Sequence, residues 1–114
     1  MKVLKDPDQV LQIMNRKLKV LRKKFYEAED RLEEAEIHGQ EVSIICVKNH
    51  IRCAIECHHR FDGNDMAGVY KYAADTKRSA REYGDLWDTW YMKGRAEGAA
   101  WACVGLEARM EEEP

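Results

Sequence analysis

Apolar side chains recur at alternating spacings of three and four residues over the first third of the chain. Leu11, Met14, Leu18, Leu21, Phe25, Ala28, Leu32 and Ala35 fill every position of that stripe. A pattern held for more than three heptads predicts a long, coiled-coil-like helix whose apolar edge is covered by another helix along its length. Both ends of the segment carry stop and start signals. Asp6 is placed to cap, Pro7 suits the first helical position, and Gln9 stands where a capping box needs it. Gly39 offers a left-handed stop, with His38 in the last turn. The pattern therefore predicts a helix over 7–38, about 48 Å long at 1.5 Å per residue.

The next segment is ambiguous in propensity but not in periodicity. Val42 to Val47 is rich in β-branched residues and suits a short strand. A helix over 41–60 accounts for more positions. Ile44, Val47, Ile51, Ala54, Ile55 and His58 then share a face, and Cys46, His50, Cys53 and Cys57 continue that arc. Lys48, Asn49, Arg52, Glu56 and Arg60 occupy the remaining third, so this helix is expected at the buried centre of a bundle. Phe61-Asp62-Gly63-Asn64-Asp65 reads as a turn. Three-four spacing restarts at Met66 and continues to Ala108, with Gly84-Asp85 as a stop-and-cap pair. Helices over 65–83 and 85–112 follow, or one long helix if the chain does not break. The expected fold is an all-α bundle of three long helices, four if it breaks at Gly84, forming a single domain over 1–114.

Composition narrows the class of protein. Charged residues make up 35% of the 114, against about a quarter in an ordinary domain, while the apolar share is 45%. The excess charge therefore belongs on exposed helix faces. A net charge of −2 gives no global pull toward nucleic acid or anionic lipid. No stretch approaches the roughly 18 apolar residues of a membrane span, and the first residues lack the apolar core of an export signal. Cys46, Cys53, Cys57 and Cys103 are then expected as reduced thiols of a cytoplasmic protein, with no cofactor implied.

Three surfaces stand out as candidates for work. The first is a charge split: Arg16, Lys17, Lys19, Arg22, Lys23 and Lys24 precede Glu27, Glu29, Asp30, Glu33, Glu34 and Glu36, with only Arg31 opposing. Along one helix this order opposes the macrodipole, which favours acids early and bases late. Two copies lying antiparallel and crossing near Phe25 and Tyr26 would set each basic block against the other's acidic block. A solvated outer face of an intramolecular bundle fits equally well. The basic block could also hold phosphates, but no aromatic or Gly-rich element interleaves it to read bases, which disfavours nucleic acid.

The second surface is the stripe Cys46, His50, Cys53 and Cys57. Thiolate and imidazole suit zinc, yet one straight helix cannot wrap four ligands around one ion. A site would need two ligands from elsewhere, such as His58, His59 or Cys103. Free cysteine also packs as a small apolar group, so no metal is assigned. The third surface gathers Tyr83, Trp87, Trp90, Gly94, Gly98, Trp101 and Gly105 on one side of the last helical stretch. Glycine inside a helix costs about 1 kcal/mol relative to alanine, so these notches imply close approach of another backbone or insertion of a large side chain, in a core or a subunit interface.

Two segments resemble motifs of all-α enzymes. Glu82-Tyr83-Gly84-Asp85 resembles the Glu-x-x-Asp element of the all-α nucleotide pyrophosphohydrolases, whose helix carboxylates hold Mg2+ on a triphosphate; Glu29-Asp30-Arg31-Leu32-Glu33 is a rough counterpart of their earlier acidic element. Arg52-Cys53-Ala54-Ile55-Glu56-Cys57-His58 resembles the Arg-x4-6-His motif of the HEPN ribonucleases, which implies Arg52 and His58 converging on a scissile phosphate. The leading expectation remains a non-catalytic helical interaction module that scaffolds, regulates or inhibits a larger macromolecule. Its association residues would be Leu18, Leu21, Phe25, Leu32, Trp87, Trp90 and Trp101. Arg16, Lys17, Arg22, Lys23, Glu29, Glu33 and Glu36 would set orientation toward a protein partner or a second copy.

Overall fold

A computed structural model describes residues 1–80 and 86–113. In chain order they form β1 (Lys2–Leu4), α1 (Pro7–Glu27), α2 (Arg31–His58), α3 (Gly63–Ser79), α4 (Leu86–Arg109) and β2 (Met110–Glu112). The expected all-α bundle is present. Gly84, and with it the Gly84-Asp85 break, lies outside the described residues.

The helix expected over 7–38 is two helices. The start is as read: the Asp6 carboxylate accepts the Gln9 N–H at 3.0 Å, and Pro7 opens α1. At Ala28 the backbone turns extended, and Asp30 starts α2 by accepting the Glu33 N–H at 2.8 Å. Glu33 reaches back to the Glu29 N–H at 3.3 Å. The elbow resolves the charge order that one rod left unfavourable. Lys24 now lies in the last turn of α1, and Glu33 and Glu34 in the first turn of α2, so each set suits its own helix dipole.

Gly39 does not stop a helix; α2 runs through it. A Cβ there would run into the backbone of Tyr91 and Arg95. One at Gly94 would strike the Glu36 carbonyl, and one at Gly98 would sit 2.6 Å from the Gln40 carbonyl oxygen. Since Gly94 faces Glu36 and Gly98 faces Gln40, α2 and α4 run in the same direction and touch backbone to backbone. Ser43, fully buried, ties the crossing by donating to the Arg95 carbonyl at 2.7 Å. The close approach read from the α4 glycines is therefore present at Gly94 and Gly98.

The remaining elements close around this pair. Val10, Met14, Leu18 and Leu21 bury one face of α1 in a core shared with Ile44, Val47, Ile51, Phe61 and Leu106. The seam of the first helix is thus covered within the chain. From α3, the Tyr72 hydroxyl meets Ser43 Oγ at 3.1 Å and accepts from Arg95 Nη2 at 2.9 Å, joining three helices.

The α2–α3 turn is fixed from several sides. His59 ends α2 in the left-handed region at φ 61°, and Asp62 forms a capping box with Asp65 that starts α3. Leu4 donates its N–H to the Phe61 carbonyl at 2.8 Å, while β1 pairs antiparallel with β2 in the register Leu4 opposite Met110. The last helix was expected to reach 112. It ends at Arg109 because Met110 is drawn into that ribbon with its side chain buried.

Candidate functional site

Because α1 leans on α2, its flank stands off from α4 and leaves a groove open to solvent. Its volume is about 510 Å³, and its walls include Ile13, Met14, Trp101, Val104, Gly105 and Arg109. Trp101 is 36% exposed and Val104 67% exposed. Isolated apolar side chains at a surface are unremarkable, whereas a concave run of them beside an exposed aromatic ring makes this groove the candidate site. The charged groups in contact with it are basic. Lys17 Nζ lies 5.4 Å from the centre of the Trp101 ring, and Arg109 donates to the Gly105 carbonyl at 3.1 Å.

Gly105 separates from the other α4 glycines here. A Cβ built on it meets nothing within 4 Å. Gly94 and Gly98 are needed by α2, whereas Gly105 carries the propensity cost of glycine with no neighbour among the described residues to require it. Gly105→Ala is accordingly expected to raise stability by up to about 1 kcal/mol, as a higher urea midpoint with an unchanged slope.

The expected association residues divide into three groups. Leu18 and Leu21 lie in the core, Phe25 leans on it, and Leu32 is half-buried, so none of them offers a free apolar edge. Trp87 stacks on Tyr91 at 5.3 Å, and Trp90 is covered by Lys93 Nζ at 4.5 Å. Both stand near the opposite end of α4 from the groove, Trp87 about 21 Å along the axis from Trp101. Trp101 alone of the seven lines the groove. Of the charge-orienting residues, Lys17 reaches it, Arg16, Arg22 and Lys23 are exposed on α1, and Glu29 and Glu33 belong to the elbow.

Glu36 lies at the α2–α4 crossing, 3.8 Å from Lys93 Nζ and beside Glu97. Burial, and then the neighbouring Glu36 carboxyl, push the Glu97 carboxyl above its ordinary value. The folded state thus holds that proton more tightly than the unfolded chain does. The resulting stabilisation is complete below the ordinary carboxylate range and is lost as pH rises through Glu97's raised value. Glu97→Gln should remove this dependence, seen as a flatter pH profile of the urea midpoint through the mildly acidic range.

Cys46, Cys53 and Cys57 are exposed, which corrects the wide buried arc expected for this helix. On this flank α3 meets α2 at Gly68, which receives the His50 ring. His50 Nε2 approaches the Asp65 carbonyl at 3.0 Å. Among the described residues, the one group of three metal-type ligands is His58, Asp62 and Asp65, and it contains none of the cysteines. Its carboxylates are already engaged: Asp62 accepts the Asn64 and Asp65 N–H groups and forms an ion pair with the Arg60 guanidinium at 3.3 Å, while Asp65 accepts the Asp62 N–H and faces His58 Nε2 at 3.2 Å. Helix capping accounts for that arrangement.

Of the two enzyme-like motifs, only the second falls wholly within the described residues. Glu82 and Asp85 lie outside them. Arg52 and His58 are both exposed on α2, about 9 Å apart along its axis and about 120° apart around it. His58, expected on the buried isoleucine face, instead points outward to Asp65. Comparison with known protein families, curated proteins and solved structures finds no match. No described helix is long and apolar enough to cross a membrane. Ile13 and Val104 are groove residues that the periodicity did not single out as functional. Their signal was present, since Ile13 is apolar and lies off the buried seam of its helix.

Proposed function

We propose that this chain is a non-catalytic helical interaction module that scaffolds, regulates or inhibits a larger macromolecule through the face where α1 and α4 diverge. The observation that carries this reading is the open apolar groove with Trp101 and Val104 on its walls. A helix–helix gap of this kind suits an amphipathic helix laid into it, with the aromatic side chain as anchor. The basic groups at Lys17 and Arg109 would set orientation more than affinity. Carriage of all four cysteines as free thiols fits a cytoplasmic setting.

Val104→Asp tests the reading. Val104 is the most exposed of the groove's apolar side chains, so the change should leave unfolding unaffected within about 0.5 kcal/mol. Binding partners captured from native extract by the wild-type chain should be lost. Equal recovery by both chains would reject this face as the docking surface.

A further inference from the structure

Resting on the reading that the α1–α4 face is a docking surface, we infer that its occupant is a second copy of this chain, packed antiparallel along α4. What points to it is the order of side chains on one row of that helix. Glu97, Trp101, Gly105 and Arg109 follow at intervals of four, so they line one ridge of the α4 surface. Glu97, Trp101 and Arg109 are exposed, Glu97 also accepting from Gln40 Nε2 at 3.0 Å within the chain, and a Cβ at Gly105 would meet nothing within 4 Å among the described residues.

Read along the chain, the row runs acid, bulky ring, notch, base. Its reverse runs base, notch, bulky ring, acid, which is the complement of the original at every position. A two-fold axis meeting α4 at the level of Cys103 therefore seats each Trp101 in the notch at the other copy's Gly105. The same axis sets each Glu97 opposite the other copy's Arg109. Two-fold interfaces require this reciprocity, residue i on j and j on i. A parallel copy in the same register would set like charge on like charge and ring on ring.

Gly105 supplies the independent support. Its missing side chain is not needed by any neighbour among the described residues, unlike those of Gly94 and Gly98. A second backbone or a large inserted ring gives it a purpose, and Trp101 stands one helical turn away on the same row. Apolar contact at Trp101 and Val104 would supply the affinity. The two exposed charge pairs would fix direction, each contributing little by itself.

Sedimentation equilibrium of the full chain tests the assignment. The mass should pass from 13.3 kDa toward twice that value as concentration rises, over roughly 1 to 500 µM for an interface of this class. Trp101→Ala should weaken association by at least about ten-fold. Gly105→Leu should do the same while leaving the monomer at least as stable, because its side chain enters open space. Glu97→Arg and Arg109→Glu should each weaken association about five-fold, and the two together should return it to within about two-fold of wild type, since the pair forms between copies. A chain that stays monomeric, a dimer indifferent to Gly105→Leu, or a double variant no better than the singles would each overturn the second-copy assignment. Loss of a different partner's capture in Val104→Asp would still uphold the docking face, so the two readings fail separately.

Discussion

Gly94→Ala is expected to lower the stability of the chain by about 3 kcal/mol, at the upper end of what overpacking costs. The added Cβ would strike the Glu36 carbonyl, which is helix backbone and cannot rotate aside as a side chain would. Relief requires α2 and α4 to separate, and that loosens Gly39 against Tyr91 and Arg95, Gly98 against Gln40, and the Ser43 bond to the Arg95 carbonyl. Alanine's better helix propensity returns about 1 kcal/mol of the loss, and the estimate includes it. Chemical denaturation of Gly94→Ala and Gly105→Ala side by side makes a sharp comparison. The same substitution in the same helix should destabilise at one site and stabilise at the other.

Phe61→Ala should cost about 3–5 kcal/mol, the usual range for a large aromatic removed from a core. Phe61 is fully buried, makes an edge-on contact with His50 at 6.2 Å, and belongs to the cluster that joins α1, α2 and α4. Its carbonyl also holds β1 through the Leu4 N–H. Emptying this site should therefore release the terminal ribbon as well as weaken the core. Hydrogen exchange should report the Leu4 amide losing protection before the amides of mid-α2 do. Against a total stability of the order of 5–15 kcal/mol for a domain, either of these two changes is large.

Much of the architecture is legible in the residue pattern, and the failures have physical causes. Asp6 and Pro7 start α1 because capping and a preset φ are local properties that tertiary structure did not override. The elbow after Glu27 was hidden because Ala28, Leu32 and Ala35 happen to continue the three-four spacing across it. Charge was the better guide at that point: bases, then Asp30 followed by Glu33, is what the end of one helix and the start of another look like. Gly39 misleads for the opposite reason. Glycine marks a helix end and also a place where another backbone comes close, and periodicity alone does not separate the two roles. Close approach was legible for the α4 glycines because three of them share a face, and it is present at Gly94 and Gly98 but not at Gly105. The ribbon of Lys2–Leu4 with Met110–Glu112 is too short to carry any periodicity of its own. Trp101 stood out in the sequence, and it is exposed on the groove wall. The groove beside it was not legible, because it exists only through the angle at which α1 leaves α4.

The proposed function rests on the α1–α4 face. Hydroxyl-radical footprinting of the chain, free and in the assembly recovered from native extract, measures it side chain by side chain. Trp101, Ile13 and Val104 should lose reactivity on assembly while Cys53 and Cys57 keep theirs. Protection that falls on the cysteine stripe or the elbow, with Trp101 as reactive as before, would contradict it.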